Sequence, residues 1–170
     1  LKKLPWKGYA LHWRRVTKNG LSALKADVTA EAGDPDAPGT PLGAPGGPGE
    51  IGCTEAVEQV RRAGLGRRAT DLFETMLARW SDAEAKICHI PPEEARNRNM
   101  FFPESIVLLA GVAVAVENLQ PDRIIFSPVP LGTGTALGAA GMYPVPAPAT
   151  LEMMRGLPVA PTSERAELTT

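Results

Sequence analysis

The sequence has 170 residues, the usual size of one domain, with 18 Lys and Arg against 19 Asp and Glu. The formal charge of -1 excludes a protein that holds nucleic acid or anionic lipid by attraction over its whole surface. The two Cys exclude a disulfide framework and a four-thiolate zinc site. The longest apolar run is shorter than the roughly 20 residues of a membrane span, and no apolar signal segment follows the first residues. We therefore expect no nucleic-acid partner, no membrane partner and a cytoplasmic location.

The first predicted element is a β-hairpin. Tyr9, Leu11 and Trp13 alternate with polar or small residues, which is the period of a strand with one buried face. Asn19-Gly20 supplies two residues that tolerate positive φ, as a type I′ turn requires. The return strand is predicted at 21–29. A flexible insert is predicted after it at 34–49, because five Pro and five Gly leave little apolar surface to bury there.

Helices are predicted in the centre of the chain. The first spans 54–63 and stops at Gly64, and the second spans 67–87 with apolar residues three and four positions apart. A third helix is predicted over the apolar run 106–116, because Pro103 and Glu104 suit the first turn of a helix and the run is long for a strand.

The last third of the chain is predicted to be rich in loops. A short buried strand at 123–127 leads into a Gly-rich loop at 131–141, a Pro-rich loop at 143–148 and a short helix at 149–155. The whole order predicts an α/β or α+β fold: a single domain with an N-terminal β-hairpin, central helices and a short strand leading into Gly/Pro-rich loops. The predicted core consists of Leu72, Met76, Trp80, Ile106, Leu109, Val112, Val116, Ile124 and Phe126.

Gly132-Thr133-Gly134 is a candidate ligand loop, because backbone N–H groups of such a loop can hold a phosphate. No helix begins at its glycines and no Lys follows them, which argues against a P-loop or dinucleotide motif. The residues alone leave two alternatives open: a loop that contacts a small anionic ligand, and a structural turn.

Cys88-His89 is a candidate metal site, with Glu93 and Glu94 just beyond it and Glu104 further along the chain. Thiolate, imidazole and carboxylate groups all bind divalent transition metals. The spacing matches neither a zinc finger nor His-Glu-x-x-His. A His that caps the helix beside a buried Cys is the alternative that the residues favour.

Two segments resemble the LarC family of nickel-insertion proteins: Pro-Val-Pro-Leu-Gly-Thr-Gly at 128–134 and Pro-Val-Pro-Ala-Pro-Ala-Thr-Leu-Glu at 144–152. Val-Thr-Lys-Asn-Gly-Leu-Ser-Ala at 16–23 and Pro-Pro-Glu-Glu at 91–94 are also similar to that family. The resemblance implies insertion of nickel(II) into a pyridinium bis-thiocarboxylate mononucleotide, with CTP and a divalent cation. The product is the nickel-pincer cofactor of lactate racemase.

The resemblance also implies that residues 1–170 are an N-terminal domain and a fragment, since the family's C-terminal domain, to which its CTP site is assigned, is absent. The expected partners are the mononucleotide and either a separate C-terminal domain chain or a second copy of this chain. CTP and its divalent cation are expected only with that C-terminal domain.

The sequence departs from the family where the metal ligands should lie. In place of the family's His-x-His-Glu-Val-Gly-x-x-Asp stretch, both His are Arg96 and Arg98, and the Asp is Glu104. Arginine does not release its proton in proteins and therefore cannot bind a metal, although it binds anions well. Cys88 replaces a further family His, with His89 next to it. The resulting candidates are Cys88, His89 and Glu104 for nickel, and Arg96, Arg98, Gly132, Thr133 and Gly134 for the nucleotide.

These departures leave an alternative open. In this alternative, the chain is a non-catalytic relative with a degenerate metal site, and it binds a nucleotide or a partner subunit through its Gly/Pro loops and through Arg96 and Arg98.

Overall fold

The computed structural model describes residues 4, 9–30, 51–97, 99–101, 103–138, 141–166 and 168. The insert predicted at 34–49 lies outside these residues. The described residues contain both helices and strands, with an antiparallel hairpin at the start, so the predicted mixed fold class is confirmed. None of the described helices is both long enough and apolar enough to cross a bilayer.

The N-terminal hairpin consists of β1 (Tyr9–Lys18) and β2 (Leu21–Ala30), paired antiparallel in an unbroken register. Asn19 and Gly20 join them with φ values of 50° and 79°, which confirms the predicted turn. Tyr9 and Leu11 pack against the core, whereas Trp13 is 61% exposed. Only the end of the hairpin farthest from its turn therefore contributes to the core.

Helices fill the centre of the molecule, and two very short strands accompany them. The strands β3 (Ile51–Gly52) and β4 (Asn99–Phe101) pair antiparallel. They were not predicted, because two or three residues show no periodicity. The helices are α1 (Cys53–Arg62), α2 (Arg67–Cys88), α3 (Pro92–Asn97), α4 (Pro103–Leu119) and α5 (Pro148–Met153). α2 is the central element, because each of the other four helices packs against it.

The core lies mainly between α2 and α4. Its largest fully buried side chains include Phe73 and Leu77 of α2 and Ile106 and Val107 of α4. Of the predicted core residues, Ile106 is buried, and the following pack against the core while partly exposed: Leu72, Met76, Trp80 and Leu109.

The predicted buried face of α4 was correct at Ile106 and wrong at Val112. Ile106, Val107, Ala110 and Ala113 point inward, whereas Val112 is 47% exposed. α4 is apolar on nearly all sides, so its sequence has no amphipathic pattern from which the buried face could be read.

The strand predicted at 123–127 was also wrong, and with it the burial of two core candidates. Residues 123–128 form no strand, and Ile124 and Phe126 are 68% and 56% exposed. A strand needs a neighbour that accepts and donates hydrogen bonds, and no described segment pairs with this one.

The Gly-rich segment forms strands where a loop was predicted. β6 (Gly134–Gly138) and β7 (Gly141–Val145) pair antiparallel, and β5 (Val129–Pro130) pairs parallel with β8 (Val159–Ala160). The last helix, α5, begins one residue before its predicted start and ends two residues before its predicted end. The pairing of β8 with β5 brings the residues after α5 back to the Gly-rich segment.

Candidate functional site

The two metal candidates Cys88 and His89 lie at the C-terminal end of α2. His89 is the C-cap residue with a left-handed φ of 54°, and the N–H of Ile90 donates to the Ala85 carbonyl at 3.0 Å. This cap reverses the chain. Both side chains are exposed. The alternative of a helix-capping His beside a buried Cys is therefore correct for the position of His89 and wrong for the burial of Cys88.

Arg96 is held between three helices. Its Nη2 donates to Asp82 Oδ1 of α2 at 2.9 Å, and its Nε is buried without a hydrogen-bond partner among the described residues. Its carbonyl and the Asn97 Oδ1 accept from the Thr54 hydroxyl of α1, at 3.4 and 2.9 Å. The structure therefore uses Arg96 to join α3 to α1 and α2.

The remaining metal and anion candidates of this region, Arg98 and the side chain of Glu104, lie outside what the structure describes. Within the part of the chain that is described, no three His, Cys, Asp or Glu side chains converge where they could hold a metal ion. Cys88 and His89 are consecutive and exposed. Together they offer nickel one thiol and one imidazole, and further ligands must come from another group.

Cys53, at the start of α1, has the opposite environment. It is 4% exposed, and this burial raises the pKa of its thiol, while the nearby Arg96 guanidinium acts in the other direction. The thiol consequently stays protonated and belongs to the core. The sequence singled out Cys88 through its neighbour His89, but no local pattern predicted that Cys53 is the buried cysteine.

The Gly132-Thr133-Gly134 loop is covered by the C-terminal segment 158–166. The N–H and the hydroxyl of Thr133 both donate to the Glu164 carbonyl at 3.0 Å. A Cβ on Gly132 would lie 1.7 Å from the Ala166 carbonyl oxygen, so only glycine fits there. Donors of this loop thus bind the chain's own backbone, as the structural-turn alternative describes.

Beside this loop lies a largely apolar cavity of about 420 Å³. Leu131, Val145, Pro146 and Val159 line it together with the loop. The cavity offers an apolar wall to a ligand that contacts the loop from this side.

A second cleft, of about 400 Å³, lies between α2 and α5 and is hereafter called the α2–α5 cleft. Lys86 Nζ and Arg155 Nη1 lie 2.5 and 3.3 Å from the same oxygen, Oε1 of Glu152. The hydrogen bond from Lys86, reinforced by Arg155, lowers the pKa of Glu152, which stays ionised. Arg79 Nη2 donates to the Met153 carbonyl at 3.1 Å.

Sequence reasoning missed this cleft, although it carried a partial signal. The α2 residues that line it, Arg79, Asp82, Ala83 and Lys86, have the spacing of one helical face. Their partners on α5 follow more than 60 residues later, and no local pattern connects the two.

Comparison with known proteins gives consistent matches. The family described as nickel insertion protein matches residues 1–170. A pyridinium-3,5-bisthiocarboxylic acid mononucleotide nickel insertion protein of Geobacillus kaustophilus is 36% identical over 180 residues, covering 100% of this chain and 40% of that protein. Proteins with the same name from Thermotoga petrophila and Staphylococcus epidermidis are 30% and 29% identical, covering 95% and 100% of this chain and 40% of each relative.

The search of solved structures gave no match. The chain spans about 40% of the length of the curated relatives named above. Because the family match extends from the first residue to the last, the chain belongs to the nickel insertion protein family, as its resemblance to LarC predicted.

Proposed function

We propose that this chain takes part in the insertion of nickel into pyridinium-3,5-bisthiocarboxylic acid mononucleotide, in nickel-pincer cofactor biosynthesis. The observation that carries this proposal is the family match over residues 1–170, together with relatives that bear the name of this reaction. The chain spans about 40% of the length of those relatives. For this part, the proposal is that it handles nickel and the mononucleotide through the residues named below.

Nickel is a substrate of this reaction, and the exposed pair Cys88 and His89 is its proposed first contact. A thiolate and an imidazole bind nickel(II), and two ligands leave coordination positions free for the thiocarboxylate sulfurs of the mononucleotide. Glu104 is proposed as an additional oxygen ligand. Nickel(II) then bonds to the two thiocarboxylate sulfurs and to the pyridinium ring carbon between them, whose C–H bond breaks and releases its proton to solvent, and the protein acts by holding both reactants together.

The nucleotide contacts proposed from the sequence are Arg96, Arg98 and the loop Gly132-Thr133-Gly134, although the N–H and hydroxyl of Thr133 already donate to the Glu164 carbonyl. The 2.9 Å ion pair between Arg96 and Asp82 leaves less of this guanidinium for a ligand than an unpaired arginine would offer. The proposed cofactors are CTP and a divalent cation. The proposed partner is either a separate C-terminal domain chain or a second copy of this chain, and the proposed location is the cytoplasm.

A second candidate function is a non-catalytic domain that binds a nucleotide or a partner subunit. It is favoured by the replacement of two family His by Arg96 and Arg98, and by the ion pair that ties Arg96 to α2. An arginine at a ligand position brings a positive charge to the place where a cation should bind.

Equilibrium dialysis against nickel(II), with and without CTP, tests the two functions. We expect stoichiometric nickel in the wild-type chain and its loss in the Cys88→Ala/His89→Ala variant. His12→Ala is the matched control, because His12 is exposed on β1 and belongs to no proposed site.

Absence of nickel from the wild-type chain under both conditions would contradict the nickel-handling role, and the binding-domain function would replace it. Equal loss of nickel in the His12→Ala variant would show that the bound metal is not held by Cys88 and His89.

A further inference from the structure

The α2–α5 cleft carries more positive charge than its own carboxylates balance. Three cations line it: Arg79, Lys86 and Arg155. Of the two lining carboxylates, Asp82 forms an ion pair with Arg96, which leaves Glu152 alone to face the three cations. The surplus is two positive charges.

The arrangement of the donors is that of an anion site. Lys86 and Arg155 converge on a single carboxylate oxygen, although both remain more than half exposed, at 53% and 68%. Nη2 of Arg79 donates to the neutral carbonyl of Met153. Among the described residues, no carboxylate forms an ion pair with Arg79. Guanidinium and ammonium groups arranged in this way bind phosphate through short, charge-assisted hydrogen bonds.

We propose that the α2–α5 cleft, and not Arg96, Arg98 or the Gly132-Thr133-Gly134 loop, binds the phosphate group of a pyridinium mononucleotide through Arg79, Lys86 and Arg155, and that Glu152 competes with this phosphate for Lys86 and Arg155. A phosphate monoester carries a charge of about −1.5 to −2 at pH 7, which matches the surplus. The volume of about 400 Å³ lies within the usual range for small-molecule sites. The identity of the ligand rests on the function proposed above, whereas the charge and shape of the cleft do not.

The cleft lies beside the C-terminal half of α2. Ala83, on its wall, precedes Cys88 by five residues, which corresponds to about 8 Å along the helix axis and about 140° of rotation around it. The proposed phosphate site and the Cys88 thiol therefore lie on different sides of the same part of α2.

Calorimetric titration of the 170-residue chain tests this inference, with nicotinic acid mononucleotide as the probe. Its riboside, which lacks the phosphate, and inorganic phosphate are the comparison ligands. We expect the mononucleotide to bind more tightly than either of them. Arg79→Ala and Arg155→Ala should each weaken its binding about tenfold, as expected for the loss of one charged hydrogen bond.

Glu152→Gln provides a test of opposite sign. Removing the carboxylate that competes for Lys86 and Arg155 should strengthen mononucleotide binding, whereas a merely structural role for Glu152 would not. Arg155→Lys should restore part of the affinity lost in Arg155→Ala. Arg62→Ala is the matched control, since Arg62 is an exposed arginine of α1 that pairs with Glu58 and does not line the cleft.

The inference fails if the wild-type chain does not bind the mononucleotide, if the riboside binds equally well, or if the cleft variants bind like Arg62→Ala. Inorganic phosphate that binds as tightly as the mononucleotide would contradict the assignment to a nucleotide. None of these readouts involves nickel, so the cleft can fail while the dialysis experiment succeeds, and the reverse.

Discussion

At the scale of residues, Arg96 shows how the chemistry of one side chain limits what its position can bind. The family has a His at this position, as the resemblance implies, and an imidazole can release a proton and bind a metal. The guanidinium of Arg96 cannot, and it instead donates to Asp82 at 2.9 Å. In the structure this residue links α3 to α2.

The two cysteines differ in the same way, through their surroundings. Cys53 is buried between α1 and its neighbours, whereas Cys88 is exposed at the end of α2. Thiolate is the form that binds metal, and burial disfavours it. Its exposure is the reason why Cys88, and not Cys53, is the proposed nickel ligand.

The raised pKa of Cys53 predicts a loss of stability in alkaline solution. Its folded-state pKa lies above the unfolded value, so its contribution to stability is complete below the unfolded pKa and is lost as the pH rises through the folded pKa. We expect the melting temperature to fall less between pH 8 and pH 10 in Cys53→Ala than in the wild type. Cys88→Ala is the matched control, and an equal change in both variants would contradict the assignment.

At the scale of elements, the helices end in two ways: α1 and α2 stop at neighbouring residues in left-handed conformations, whereas the N–H groups at the start of α2 bind a side chain from α4. Gly64, with a φ of 65°, follows α1, and His89 ends α2 with a similar left-handed conformation. The N-terminus of α2 has no capping side chain of its own at Gly66. Instead, Oε1 of Glu117 on α4 accepts from the N–H groups of Arg68 and Ala69 at 3.0 and 3.3 Å.

Glu117→Ala should destabilise the protein by about 1 kcal/mol, the usual cost of removing a helix cap, because two N–H groups lose their acceptor. Glu58→Ala is the matched control: Glu58 forms only an exposed pair with Arg62 within α1, for which a few tenths of a kcal/mol are typical. Urea unfolding measures both values. Equal destabilisation by the two substitutions would show that Glu117 is not a cap.

At the scale of the whole molecule, the C-terminal segment 158–166 closes the structure over a loop that precedes it by about 30 residues. Its carbonyls accept from the N–H groups of Val129, Leu131 and Thr133. Gly132 is buried beneath it, and a side chain there would overlap with the Ala166 carbonyl. The close packing of segment 158–166 on this loop therefore requires glycine at position 132.

Gly132→Ala should therefore release the segment and destabilise the protein by about 1–3 kcal/mol, as overpacking usually does. Trypsin should cleave after Arg165 faster in this variant than in the wild type. Gly20→Ala is the control, because no atom lies within 4 Å of its added Cβ and its strain is confined to the hairpin turn. Unchanged cleavage after Gly132→Ala would show that the segment does not rest on Gly132.

The sequence by itself determined the features that local chemistry controls. Asn19-Gly20 fixed the hairpin, the spacing of apolar residues fixed α2, and Pro103 marked the start of α4. The side-chain chemistry of Cys88 and His89 indicated a candidate metal site, and the motifs at 128–134 and 144–152 indicated the family. Each of these depends on residues that are close together in the chain.

Only the tertiary structure decided which surfaces are buried and which distant residues meet. α4 is apolar around its circumference, so its buried face depends on where α2 lies. The segment 123–127 has the composition of a strand but lies exposed, because no described strand pairs with it. The α2–α5 cleft and the contact between Thr133 and Glu164 join residues more than 30 positions apart. Such contacts follow from packing over the whole chain, which no local pattern encodes.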